Sequence, residues 1–127
     1  MREIKYKAYV KELNLVLPVL SIQFDFKKVE VPATYSKHID TEYFNFEQVE
    51  LIQYTGLKDV KGNEIYEGDI VQVSGHPFHG SIDMDGNYEV GYNEYMELSC
   101  GGWYLHRMRH WAEVIGNIYE NKELLKN

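Results

Sequence analysis

Between His106 and Trp111 the chain sets two imidazoles (His106, His110), two guanidinium groups (Arg107, Arg109) and an indole side by side. A cluster of this kind can hold a phosphate through charge-assisted hydrogen bonds and stack a base on the indole. The plainer reading is a loop whose Trp111 anchors in the core while both arginines pair with neighbouring acids. Just upstream, Cys100 with His106 or His110 has the composition of a nucleophile and its base, and Gly101-Gly102 could supply N–H donors to an oxyanion. A lone cysteine more often serves as a small buried hydrophobe.

Three further groups invite chemistry. His76 and His79, in His76-Pro77-Phe78-His79, have a local spacing open to zinc, with Cys100 as a further soft ligand, yet no second compact Cys or His pair completes a set. Scattered surface histidines explain them better, so no metal and no cofactor is assigned. Glu64, Glu67 and Asp69 could act as paired carboxylates, but turn positions use such residues to solvate strand ends. Asp83-Met84-Asp85-Gly86 resembles the start of a calcium loop, without the later ligands or the bidentate glutamate.

The elements that must carry these residues are strands. Ile4, Tyr6, Ala8 and Val10 alternate with Lys5, Lys7, Tyr9 and Lys11, the period-two pattern of a half-buried strand. Pro18 marks an edge, a bulge or a connection. Alternation resumes at Leu20, Ile22, Phe24 and Phe26 and continues through Val29 and Val31 to Pro32. Residues 33–43 are polar and aperiodic and suggest a mobile loop or subdomain boundary, after which Phe44 and Phe46 restart a strand.

Two hairpins can be predicted to their register. A three-residue loop Val60-Lys61-Gly62 sets Asp59 opposite Asn63 and Leu57 opposite Ile65, with Gly62 in the left-handed region. A second loop, Asp85-Gly86-Asn87, sets Met84 opposite Tyr88 and Ile82 opposite Val90. Ile70, Val71 and Val73 follow a Glu67-Gly68-Asp69 turn. Trp103 to Leu105 forms one more strand and Val114 to Tyr119 the last, before Asn121 caps a short helix carrying Leu124 and Leu125.

Composition bounds the rest. A hydrophobic share of 44% in 127 residues fits one globular domain with two subdomains, and the 11 tyrosines favour sheet. The formal charge is −7: residues 1–50 carry 7 basic and 8 acidic side chains, leaving 6 and 12 for residues 51–127. That field disfavours generic nucleic-acid binding unless a local basic patch overrides it. One cysteine fits a reducing cytoplasm, no signal peptide is visible, and the longest apolar patch, Leu13 to Leu20, falls far short of a bilayer span.

QYTGLKDVKGNEIYEGDIV, ending at Val71, closely resembles the signature of the YopX family of small phage and prophage proteins. AEVIGNIYENKELL resembles that family's closing motif, REIKYKAY its first strand and GGWYL its glycine-aromatic strand. Lys122 and Tyr9 depart from it, where members often have proline and tryptophan. The resemblance implies a phage-associated, cytoplasmic, oligomeric protein, and it carries over no catalytic residue.

The sequence therefore predicts a mainly β protein: an N-terminal strand-rich subdomain over residues 1–48, then a small SH3-like barrel over residues 49–127 ending in a helical turn. The first functional expectation is a non-enzymatic accessory or protein-interaction module, bound to a second copy or to a host or phage protein. The second is a nucleic-acid-binding module using Arg107, Arg109, His110 and Trp111 with the N-terminal lysines. An enzyme or metal protein centred on Cys100 and the histidines comes third.

Overall fold

The computed structural model describes residues 3–33, 40–77 and 84–125. The chain is mainly β, with 52% of the described residues in strands, so strand register sets where most side chains below point. Ile4–Gln53 forms one compact unit and the described residues from Tyr54 onward form another. The division falls within strand β6 (Val49–Lys58), a few residues beyond the break expected at 48/49.

In the N-terminal unit β1 (Tyr6–Val10) pairs antiparallel with β2 (Leu15–Pro18) and with the first half of β6, setting Ala8 against both Leu17 and Leu51. Pro18 lies on the edge strand, where a missing N–H breaks no ladder bond. A second sheet runs β3 (Ser21–Gln23), β4 (Lys28–Pro32) and β5 (Thr41–Asn45). The alternation read from sequence buries Ala8 and Val10 on β1 and Val29 and Val31 on β4. They join Leu17, Phe44 and Val49 in one apolar cluster.

Two expectations fail in this unit. The alternation through Phe24 and Phe26 is not strand: β3 stops at Gln23, and the next four residues turn the chain into β4, with Lys27 at φ 53°. The register that places Ser21 against Glu30 leaves both phenylalanines at the hairpin tip, each 72% exposed. Residues 33–43 are not a boundary either. Pro32 pairs with Thr41 and the Ala33 N–H donates to the Asp40 carbonyl at 3.1 Å, so both described ends of the segment continue the β4–β5 pairing inside the unit. Its residues 34–39 lie outside the described residues.

The C-terminal unit contains the second half of β6, β7 (Glu64–Tyr66), β8 (Asp69–Val73), β9 (Gly86–Tyr92), β10 (Leu98–Cys100), β11 (Trp103–Tyr104), helix α1 (Leu105–Met108) and β12 (Ala112–Asn117). Five of these strands pair antiparallel in the order β11-β10-β9-β8-β12 as a curled half-barrel sheet. β8 is an interior strand between β9 and β12, and four of its five residues are buried, among them Ile70, Val71 and Val73. The core gathers Ile65, Val71, Val73, Val90, Cys100 and Leu105.

The β6–β7 hairpin has the predicted register next to its turn, but the register shifts between Lys58 and Tyr54, so the expected pairing of Leu57 with Ile65 is not formed. The Asp59 N–H donates to the Asn63 carbonyl at 2.8 Å, Lys58 faces Glu64, and Gly62 sits at φ 84°. The turn before β8 needs its glycine twice over. Gly68 is at φ 85°, and a Cβ there would lie 2.9 Å from the Tyr119 ring.

The second predicted hairpin is overturned. Gly86 and Asn87 are strand residues, pairing with Val73 and Gln72, so the connection from β8 to β9 is residues 74–85. β8 needs ladder partners on both sides, and β9 supplies the second by running back to Gly86. Residues 78–83, including Ile82, Asp83 and His79, lie outside the described residues.

At the chain's end β12 stops at Asn117, whose Oδ1 accepts the Tyr119 and Glu120 N–H groups at 3.0 and 2.8 Å. This turn removes Ile118 and Tyr119 from the expected strand. Asn121 directs its side-chain oxygen back to the Asn117 N–H at 3.2 Å instead of forward as a cap. Its carbonyl accepts the Leu124 N–H at 2.9 Å, entering the short 3-10 helix Lys122–Leu125.

Candidate binding site

Leu105 and Met108, three residues apart, are buried at 0% and 3% exposure, and this spacing converts the expected strand end at Leu105 into one helical turn. The turn leaves His106 and Arg107 outward. A single 3-10 turn, Arg109–Trp111, then leads to buried Ala112 at the start of β12. The predicted cluster is thus held on two short helical turns, both seated on the half-barrel core.

The structure divides the predicted residues. Arg109 turns aside, its Nη1 donating to the Lys58 carbonyl at 3.1 Å. His106, Arg107, His110 and Trp111 remain together and gain one partner, His76. The His76 ring meets Trp111 nearly edge-on at 4.3 Å between centroids, and His110 meets it at 6.0 Å. Backbone bonds bring His76 there: the Ser74 N–H donates to the Trp111 carbonyl at 3.0 Å, and the Gly75 N–H to Asp85 Oδ1 at 3.2 Å. Sequence inspection missed this pairing, because nothing local to His76 announces a tryptophan thirty-five positions away.

These five side chains line a hollow of about 440 Å³. A second hollow, of about 430 Å³, is lined by apolar Leu57 and Leu98, by Tyr104, and by Glu97, Arg107 and His106. His106 and Arg107 line both. A third, of about 250 Å³, shares Glu97 and Tyr104 with the second and adds Tyr95 and Trp103. The three form a track across one face of the unit. Tyr95 at 75% exposure and Tyr104 at 55% stand along it.

The other candidates have structural uses. Cys100 is fully buried in the apolar core, and burial pushes its thiol up to about 11, so only on the order of one in ten thousand is thiolate at neutral pH. Asp69 Oδ2 accepts the Tyr66 N–H at 2.8 Å, and Glu64 accepts the Tyr66 hydroxyl at 3.4 Å. Among the described residues no group of three or more His, Cys, Asp or Glu side chains could hold a metal ion. Of the N-terminal lysines, Lys11 donates to the Glu47 carbonyl at 3.2 Å.

Asp59 has a larger role than its predicted place in a turn. One carboxylate oxygen accepts the Lys61 and Asn63 N–H groups at 2.9 and 2.8 Å, and the other accepts the Val114 N–H at 2.9 Å. Burial pushes its pKa upward, but these bonds and the Asn63 side chain favour the charged form more, and the net shift is downward. Leu57, which lines the second hollow, lies at the end of β6 that this carboxylate fastens.

Residues 5–126 match the family model described as YopX protein. Among solved structures, protein EF1440 from Enterococcus faecalis is similar, with a TM-score of 0.68 and 23% identity over 99% of this chain and 100% of that one. That identity carries the fold alone. No curated protein sequence matches the chain. Among the described residues no helix is long and apolar enough to cross a membrane.

Proposed function

The chain belongs to the YopX family, and we propose that it is a non-enzymatic interaction module whose half-barrel holds a partner protein along the track of hollows. The observation that carries this reading is the second hollow. It presents apolar side chains at Leu57 and Leu98, an exposed tyrosine, and opposite charges at Glu97 and Arg107. Interface centres favour aromatic and arginine side chains beside apolar ones in this way. The buried, un-ionised Cys100 supports binding over nucleophilic chemistry. We read the half-barrel as SH3-like, since a 3-10 turn introduces its last strand, and the protein as a cytoplasmic phage or prophage accessory factor that also forms homo-oligomers.

The test compares wild type with Leu98→Asp, which puts a charge in the lining of the hollow. Affinity capture from an infected host lysate and mass measurement of the purified protein are the readouts, with circular dichroism confirming that the variant folds. We expect wild type to recover a specific protein, or to run as an oligomer, and Leu98→Asp to lose that association. A wild-type monomer that recovers nothing sinks the reading. Rapid alkylation of Cys100 in the native protein would instead favour an enzyme.

A further inference from the structure

We propose that the histidine-lined hollow is a site for one phosphate-bearing, ring-containing ligand of the nucleotide class. Its lining is three imidazoles, an indole and one guanidinium, with no carboxylate, in a part of the chain where acids outnumber bases two to one. Arg107 makes no ion pair or hydrogen bond among the described residues, so its fork of donors is open to a phosphate. His76 Nδ1 is buried without a hydrogen-bond partner among the described residues, a second polar atom left for a ligand or water.

Trp111 supplies the ring platform. Its backbone carbonyl is tied to Ser74 and its indole is flanked by His76 at 4.3 Å, so little side-chain freedom remains to be lost on binding. Stacking on such a fixed indole suits a flat heterocycle and adds nothing for a bare acid. A volume of about 440 Å³ is that of a small-ligand site. Charge decides between a nucleotide and a long strand. The net charge of −7 repels a polyanion, whereas one phosphate meets a local guanidinium and imidazoles. The ligand is a single nucleotide unit, whether free or at the end of a strand.

The experiment is a titration of the full chain with AMP, adenosine, inorganic phosphate and a 5′-phosphorylated oligothymidylate, followed by the indole and imidazole NMR signals. AMP should shift Trp111 and the three histidines, and Arg107→Ala should weaken AMP by about 10- to 100-fold while leaving adenosine unchanged. Arg107 is exposed, so an unaltered thermal midpoint will show that the variant folds. With the oligonucleotide, a log–log salt slope near 1 means that its terminal nucleotide occupies the site. A slope of several charges means that the backbone is tracked instead, which overturns the single-phosphate assignment. Failure of AMP to move Trp111 at about 10 mM, or equal AMP affinity in Arg107→Ala, overturns the site. Leu98→Asp leaves this lining intact, so its outcome and this one are read separately.

Discussion

The two units are held together by different physics. In the N-terminal unit every buried described side chain is apolar, and Phe44, Val29, Val31 and Ala8 make a cluster whose attraction is non-directional. The C-terminal unit has its own apolar cluster and also holds all three polar residues buried among the described ones, Thr55, Asp59 and Asp69. Each is bonded to backbone: Thr55 Oγ1 donates to the Ile65 carbonyl at 2.6 Å, and the two aspartates accept N–H groups at turns. Directional bonds fix where strand ends lie. Buried ones occur only in the C-terminal unit among the described residues. The N-terminal unit keeps its side-chain hydrogen bonds at exposed or half-buried positions and leaves Phe24 and Phe26 exposed at a hairpin tip.

This contrast can be broken in order of expected effect. Phe44→Ala removes a large ring from the N-terminal cluster and should cost about 3–5 kcal/mol in urea unfolding; a loss under about 1 kcal/mol would mean that the cluster is loosely packed. Asp59→Asn should cost about 2–3 kcal/mol, because one oxygen facing a backbone N–H becomes a donor. Its pH dependence has a definite sign. The folded carboxyl titrates below its usual value of 3.8, so its stabilisation is complete above that value and drains away as pH falls through the folded pKa. Hydrogen exchange at Lys61, Asn63 and Val114 should therefore speed up below about pH 4 after correction for intrinsic rates. In Asp59→Asn that dependence should vanish.

Phe26→Ser should change stability by less than about 0.5 kcal/mol, since the ring is already in solvent. A larger loss that grows with protein concentration would show that a second copy covers the tip, and would remove the contrast between the units.

Legibility followed sequence separation. Gly62 and Gly68 betrayed their turns because a positive φ is a property of one residue, and the β6–β7 register beside the turn followed from the loop length, whereas the shift beyond Lys58 did not. Phe24 and Phe26 misled because alternation looks the same on a strand and on the hairpin tip beyond it. The pair Leu105 and Met108 was visible, but a single helical turn is too short to show a period. The basic cluster was found by composition, yet nothing marked Arg109 as the member that bonds to Lys58 and His76 as the one that joins.

The stretch from Leu51 to Val71, with the closing segment that ends at Leu125, determined by itself that the chain is mainly β and which family it belongs to. Turn glycines and strand alternation act over a few residues, so they are written where they act. Only the tertiary structure decided that β8 lies between β9 and β12, that Asp59 binds Val114 fifty-five residues on, and that His76 reaches Trp111. A period-two pattern says which face of a strand is buried but not which strand lies beside it, and sheet order is what assembles the hollows.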